Sequence, residues 1–216
     1  MPHCLDQGDP DDAQGDVAYC GQRVSCSEMS RLMGCVYTRH VLFQSSHDLR
    51  NYCYWGYSSG LPLANERDVA ALDQGLIHPD VEVRPIEIPG LGSQLGLFAT
   101  QTLKADAFFG EYTGVIQADR GGGAFDSYGL AYPSLYQDGD MCISAKEYGN
   151  VIRCVNHSST NFNAIFTSIL HRGMLRMICK TIRETPAGSQ ILVNYGQSYW
   201  KQAGIVPFEW PTYECQ

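Results

Sequence analysis

Residues 149–158 read Gly149-Asn150-Val151-Ile152-Arg153-Cys154-Val155-Asn156-His157-Ser158, a short apolar run closed by three hydrogen-bonding residues in a row. If that trio is buried, each polar group needs a partner, so the segment is either a satisfied structural cluster or a ligand site. Taken alone, it leaves both open. Further along, Gln190-Ile191-Leu192-Val193-Asn194-Tyr195-Gly196 is a strand that ends in a tyrosine and a glycine. In the other direction, Gly90-Leu91-Gly92-Ser93-Gln94-Leu95-Gly96 follows a strand and loosely matches a dinucleotide-binding loop. Such a loop must open a helix whose N-terminus faces a pyrophosphate. Here Leu97-Phe98-Ala99-Thr100 passes through Lys104-Ala105-Asp106 into another strand, so the helix is missing. What remains is a glycine turn where backbone comes close to a ligand or to another segment.

Around these motifs the texture is that of short strands. Val81 to Ile88 alternates apolar and polar residues and stops at Pro89-Gly90, as a half-buried strand does. Ala107 to Ile116, Ile165 to Leu170, Met174 to Ile182 and Gln190 to Tyr195 are further strands, separated by turn signals such as His171-Arg172-Gly173 and Pro186-Ala187-Gly188. Before residue 81 the pattern is helical. Ser25 and Glu28 have capping-box spacing, and Met29, Leu32, Met33, Val36 and Tyr37 share one helical face. A second helix is expected at 66–74, with Asn65 as N-cap and Gly75 past its end. Gly121-Gly122-Gly123 reads as a mobile loop. The expectation is a mainly β domain of several small sheets with a short helical N-terminal region.

Composition limits the partners. The chain has 216 residues, is 44% hydrophobic and 18% charged, and carries a net charge of −8. Acidity argues against a nucleic-acid backbone as the main partner, because that partner selects for clustered Lys and Arg. A cationic partner fits better. Asp6, Asp9, Asp11, Asp12 and Asp16 sit in a polar start without bases, so residues 1–22 are expected not to fold alone. A second acidic stretch holds Asp119, Asp126, Asp138, Asp140 and Glu147 against Arg120 and Lys146. No apolar run approaches the roughly 20 residues that cross a bilayer, and the N-terminus lacks signal-peptide character. An intracellular protein with reduced thiols is expected. The nine cysteines form no C-x-x-C pair, so no metal site is expected.

Taken in order, three segments resemble a SET domain, the family of protein lysine methyltransferases that use S-adenosylmethionine. They are Gly96-Leu97-Phe98-Ala99 with Gly110-Glu111-Tyr112-Thr113-Gly114; Ile143 through Gly149-Asn150 to Arg153 and Asn156-His157-Ser158; and Pro186 through Asn194-Tyr195-Gly196. The resemblance covers about residues 81–200. It implies small β-sheets in which the Asn-His-Ser segment and the tyrosine strand pass one another as a pseudoknot. It also implies that Gln94, Leu95 and Gly96, together with Asn156 and His157, hold the cofactor. Tyr195 would stand where methyl donor and lysine meet, as the catalytic tyrosine. Tyr112, Tyr128 and Phe166 are the channel-wall candidates, with Phe166 placed to tune the number of methyl groups added. Residues 23–80 would flank and brace the domain.

The chain departs from the family pattern in places. Gln94 replaces the first glycine of the cofactor turn, Ser144 the usual aspartate, and Cys154 the aromatic before Asn156-His157. The zinc-binding C-terminal cysteine cluster is absent. The aromatic segment Phe208-Glu209-Trp210-Pro211-Thr212-Tyr213, within residues 201–216, is therefore expected to close the site, with Trp210 over the cofactor. These departures motivate one rival reading, a SET-like module that binds S-adenosylmethionine and peptide with impaired turnover. The substrate implied is a basic protein or peptide, a histone tail being one case, with the acidic residues Asp138 and Asp140 beside the peptide groove. The small size resembles compact SET proteins of viruses and intracellular bacteria, so action in a cytoplasm or nucleus, including as an exported effector in a host nucleus, is compatible with the sequence.

Overall fold

The computed structural model describes residues 17–55, 63–119, 125–132 and 140–210. The chain opens with a hairpin of β1 (Val17–Tyr19) and β2 (Gln22–Val24), followed by α1 (Cys26–Met33), β3 (Val36–Tyr37), β4 (Leu42–Phe43), α2 (Ser46–Trp55) and α3 (Glu66–Gln74). Then come β5 (Val81–Ile88), β6 (Gly92–Ala99), β7 (Phe108–Glu111), β8 (Val115–Asp119), β9 (Gly129–Tyr132), β10 (Asp140–Ser144) and β11 (Tyr148–Gly149). A 3-10 turn at Val151–Cys154 leads to β12 (Asn156–His157), β13 (Ala164–His171), β14 (Met174–Thr181), β15 (Leu192–Val193) and α4 (Gln197–Ala203).

The strands form five small sheets, ordered β2-β1-β5-β6, β4-β8-β10-β9, β13-β14-β7, β11-β3 and β12-β15. One hydrophobic core joins them, with Val83, Leu97, Phe109, Ile116, Ile143, Ile152 and Val193 at its fully buried centre. The β5–β6 hairpin runs in register from Val81 opposite Ala99 to Ile88 opposite Gly92, and its turn uses Gly90 and Gly92 at positive φ. Glu82 is buried on β5 but satisfied, accepting from Arg84 Nε and the Gly21 backbone N–H at 2.6 Å each. That contact ties the β1–β2 hairpin to the sheet.

The two predicted helices start where their caps place them. Ser25 Oγ accepts the Glu28 backbone N–H, and Asn65 Oδ1 accepts that of Asp68. α3 ends as expected at Gly75, but α1 stops at Gly34, both glycines being left-handed. Val36 and Tyr37, expected on the α1 face, instead pair with Tyr148 and Gly149 as β3. Ala107 to Ile116 is not one strand; it divides into β7 and β8 around Tyr112–Gly114. At Gly114 a Cβ would collide with the Ser144 carbonyl oxygen, so only glycine fits this close approach of the two segments. Gln190 to Tyr195 contributes only β15 as a strand, its other backbone groups bonding singly to Leu97 on β6, to the Asn163 amide and to the His157 ring. Within the stretch expected not to fold alone, Val17–Tyr19 forms β1 and pairs with β2 and β5; residues 1–16 and the Gly121–Gly123 run lie outside the described residues.

α3 is fastened to the far side of the β13–β14 hairpin. Leu72 packs with Phe108, Ile169 and Ile178, while Asp73 meets His171 Nε2 at 2.7 Å and Arg172 Nη2 at 2.6 Å. Beneath them Arg176 grips Glu111 with a two-point ion pair, both residues being buried. No helix among the described residues is long and apolar enough to cross a membrane.

Candidate active site

The site is built where two distant segments lie side by side. β12 and β15 pair in parallel, Asn156 opposite Leu192 and His157 opposite Val193. Beyond them, the Ser158 N–H donates to the Val193 carbonyl and the Asn163 N–H to that of Leu192. Asn163 completes the crossing by accepting the Leu192 N–H on Oδ1 and donating from Nδ2 to the Gln190 carbonyl. These bonds use both ends of the Asn163 amide and tie the two segments together at several points.

From the crossing, side chains reach into a groove of about 1520 Å³. Asn156 Nδ2 donates to the Leu95 carbonyl at 3.0 Å and to that of Cys154 at 3.3 Å, fixing the β6 start against the 3-10 turn. His157 is buried. Its Nδ1 accepts the Tyr195 N–H at 3.0 Å, so the neutral ring carries its proton on Nε2. That Nε2 has no hydrogen-bond partner among the described residues; Glu209 Oε1 stands 3.6 Å away. Burial lowers the His157 pKa, outweighing the Glu209 carboxylate and the Val193 backbone, so the neutral form prevails.

Tyr195 follows the crossing directly. Its hydroxyl donates to the Val155 carbonyl at 2.6 Å. Burial, reinforced by Tyr199 and other neighbours, pushes its phenol far up, so it stays protonated and cannot serve as a phenolate base. Aromatic rings surround it. Trp200 stacks on Tyr195 with centroids 5.9 Å apart and meets His157 edge-on at 4.8 Å, while Tyr199 lies 4.7 Å from Tyr195. On the opposite wall the Tyr112 hydroxyl donates to the Tyr128 carbonyl at 2.6 Å, and the Tyr112 ring meets Phe166 edge-on at 5.3 Å. The Arg153 guanidinium lies 3.7 Å over the Tyr128 ring and donates to the Met33 carbonyl at 2.7 Å.

Gln94, Leu95, Asn156, His157, Tyr195 and Trp210 therefore share a groove with Tyr112, Tyr128 and Phe166. Gly96 does not line it. A Cβ there would meet Gln190 Nε2 at 2.8 Å and the Phe98 ring at 2.9 Å, so this glycine lets β6 pack against the 190 segment. Sequence reasoning missed Tyr199 and Trp200, which α4 presents beside Tyr195. The available signal was two adjacent aromatics just after the Tyr195-Gly196 pair, in a run closed by Gly204. Pro211 to Tyr213 and Asp138 lie outside the described residues, as do the side chains of Asp119 and Asp140. Asp126 accepts from Ser144 Oγ and the Tyr128 N–H. Its charge is thereby spent on local structure.

A sheet fold whose Asn-His strand runs parallel to a tyrosine-bearing strand, at the bottom of an aromatic groove, is the arrangement of a SET domain. The family model for that domain matches residues 94–196, just under half of the chain. Over 114 residues it is 30% identical to the histone-lysine N-methyltransferase SUV39H2 of Xenopus tropicalis, and over 116 residues 29% identical to Su(var)3-9 of Drosophila melanogaster. Each alignment covers 48% of this chain but only 28% and 18% of those proteins, so the chain spans a minor part of their length. Among solved structures, the ATXR5 SET domain in complex with histone H3 dimethylated on R26 superposes with a TM-score of 0.61 over 79% of this chain and 84% of that one, at 16% identity. ATXR5 in complex with histone H3.1 monomethylated on R26 gives 0.59 over 79% and 85%, at 15% identity. These two share the fold.

SET methyltransferases use S-adenosylmethionine, and the residues present suit that group. The groove exceeds the roughly 300–1,000 Å³ of ordinary small-molecule pockets. Two buried N–H donors on its wall, His157 Nε2 and Trp200 Nε1, have no hydrogen-bond partner among the described residues. Ring faces of Tyr195, Trp200, Phe208 and Trp210 supply surfaces for a flat heterocycle and a cationic centre.

Proposed function

We propose that this chain is a protein lysine N-methyltransferase that acts on a basic protein, with a histone tail as the first substrate to test. The observation that carries the reading is Tyr195: one phenol, held protonated by burial and oriented by the Val155 carbonyl, stands between the Asn156-His157 strand and the Tyr112–Phe166 wall. When bound, S-adenosylmethionine supplies an electrophilic methyl group on a sulfonium. The Leu95 to Asn156 contact and the His157 face hold the cofactor side of the groove. Tyr112, Tyr128 and Phe166 form the other side, where an apolar, water-poor channel lowers the lysine pKa from about 10.4 and favours the neutral, nucleophilic amine. The Tyr195 hydroxyl has its proton committed to Val155, so its oxygen faces the channel as an acceptor that orients the amine.

Phe166 lacks a hydroxyl that would hold water beside the amine, so the channel has room for more than one methyl group. Phe166→Tyr is expected to shift the product toward monomethyl-lysine, as read by mass spectrometry. Incubation with labelled S-adenosylmethionine and core histones, followed by mapping of the modified residues, tests the activity itself. Tyr195→Phe should cut kcat by about a hundredfold or more, the scale of a lost alignment. Cofactor binding without any transfer by the wild type would instead favour the binding-module reading, which Gln94, Ser144 and Cys154 raised. The first lies exposed on the groove rim, the second is bonded to Asp126, and the third is buried in the core.

A further inference from the structure

After α4 ends at Gly204, Ile205–Trp210 come back against Ser158–Asn161 and bring Phe208 and Trp210 to the groove. This strap is weakly founded. Val206 is 90% exposed and Ile205 49% exposed, and among the described residues no backbone-to-backbone hydrogen bond holds residues 205–210. Its attachments run through side chains. Asn161 Nδ2 donates to the Trp210 carbonyl at 3.0 Å. Glu209 accepts from Ser158 Oγ at 3.0 Å, from the Ser159 N–H at 3.0 and 3.1 Å on its two oxygens, and from Thr160 Oγ1 at 3.4 Å. The same carboxylate stands 3.6 Å from His157 Nε2.

We propose that Glu209 is a latch: its carboxylate grips the Ser158–Thr160 turn directly after the Asn156-His157 pair, and so sets how tightly the strap closes over the cofactor side of the groove. The inference rests on the proposed cofactor site and adds its closing element. Charge-assisted bonds to a carboxylate are about twice as strong as neutral ones, which makes Glu209 the main polar attachment of the strap among the described residues. Ser159 and Thr160 are exposed, so a negative charge introduced at either would face the carboxylate and push the strap away. Glu209 is a positioning residue here, acting through Phe208 and Trp210.

The test is calorimetry on the full chain with S-adenosylmethionine and S-adenosylhomocysteine, comparing wild type with Glu209→Ala, Glu209→Gln and Thr160→Glu, alongside steady-state kinetics. The latch predicts an approximately tenfold weaker cofactor Kd for Glu209→Ala and Thr160→Glu. Glu209→Gln, which keeps an acceptor but not the charge, should fall between. The peptide KM and the melting temperature of the ligand-free protein should stay near wild type. A wild type that binds the cofactor while Glu209→Ala binds it within twofold overturns the latch alone. The latch also fails if cofactor Kd, peptide KM and ligand-free melting temperature all worsen together, since that is general destabilisation. A wild type that binds neither ligand overturns the functional reading, and the latch with it.

Discussion

His157 has little freedom: one ring nitrogen accepts the Tyr195 N–H, Trp200 and Tyr195 flank the ring, and the other nitrogen opens toward the groove near Glu209. Protonation would place a second N–H on Nδ1 and break the Tyr195 bond. The folded-state pKa lies below the ordinary value of 6.5, with burial as the main cause and Glu209 opposing it. A group depressed in this way contributes its stabilisation fully above the unfolded value and loses it as pH falls through the folded one. Melting temperature should therefore drop on acidification below about pH 6.5, and His157→Gln should flatten that part of the profile. A profile of unchanged slope would place the titration elsewhere. At this scale the sequence was informative, because Asn156, His157 and Tyr195 are polar groups in apolar surroundings that demand partners. Gly96 was readable only as a place of close approach; that the approach is to Gln190 depends on a segment far along the sequence.

Elements were readable where local chemistry decides them. Asn65 and Gly75 bracket α3 because a cap and a left-handed stop act within a few residues. α1 was read too long because Val36 and Tyr37 continue its apolar spacing, yet Gly34 turns the chain and β11 captures them as a strand. α4 shows no apolar stripe, since its aromatics serve the groove. Arg153, on the 3-10 turn, connects α1 to the groove wall. It donates to the Met33 carbonyl at the end of α1 and to Cys35 Sγ at 3.1 Å, and it underlies the Tyr128 ring. Through the Tyr128 carbonyl, this places the Tyr112 hydroxyl on the channel wall. Both hydrogen bonds leave Nη1 while the guanidinium plane lies on the Tyr128 ring, and a lysine ammonium has no flat face to keep that ring contact alongside them. Arg153→Lys should raise the peptide KM about three- to tenfold while the cofactor Kd stays within twofold, because the Leu95–Asn156 side does not involve the guanidinium. Equal losses in both constants would assign Arg153 to folding alone.

Across the whole molecule, the groove gathers residues from Leu32 on α1 to Trp210 on the strap, brought together from segments far apart in the sequence. Its volume and the strap that flanks it are products of long-range packing, which no local pattern carries. The same dispersion makes ligand binding and global stability one equilibrium, since unfolding any contributing segment dismantles the site. A ligand that binds only the folded state at about 100 times its Kd stabilises by about 2.7 kcal/mol. For a chain of this length each kcal/mol moves the melting temperature by about 2–4 °C. S-adenosylmethionine at that excess should thus raise the melting temperature by roughly 5–10 °C. Tyr195→Phe should keep the rise if the hydroxyl acts on the amine as proposed, since the ring still stacks on Trp200. Asn156→Ala should lose most of it, because its amide holds the Leu95 carbonyl of β6 beside the crossing. If Asn156→Ala retained the full rise, the cofactor would have to lie away from the β12–β15 crossing.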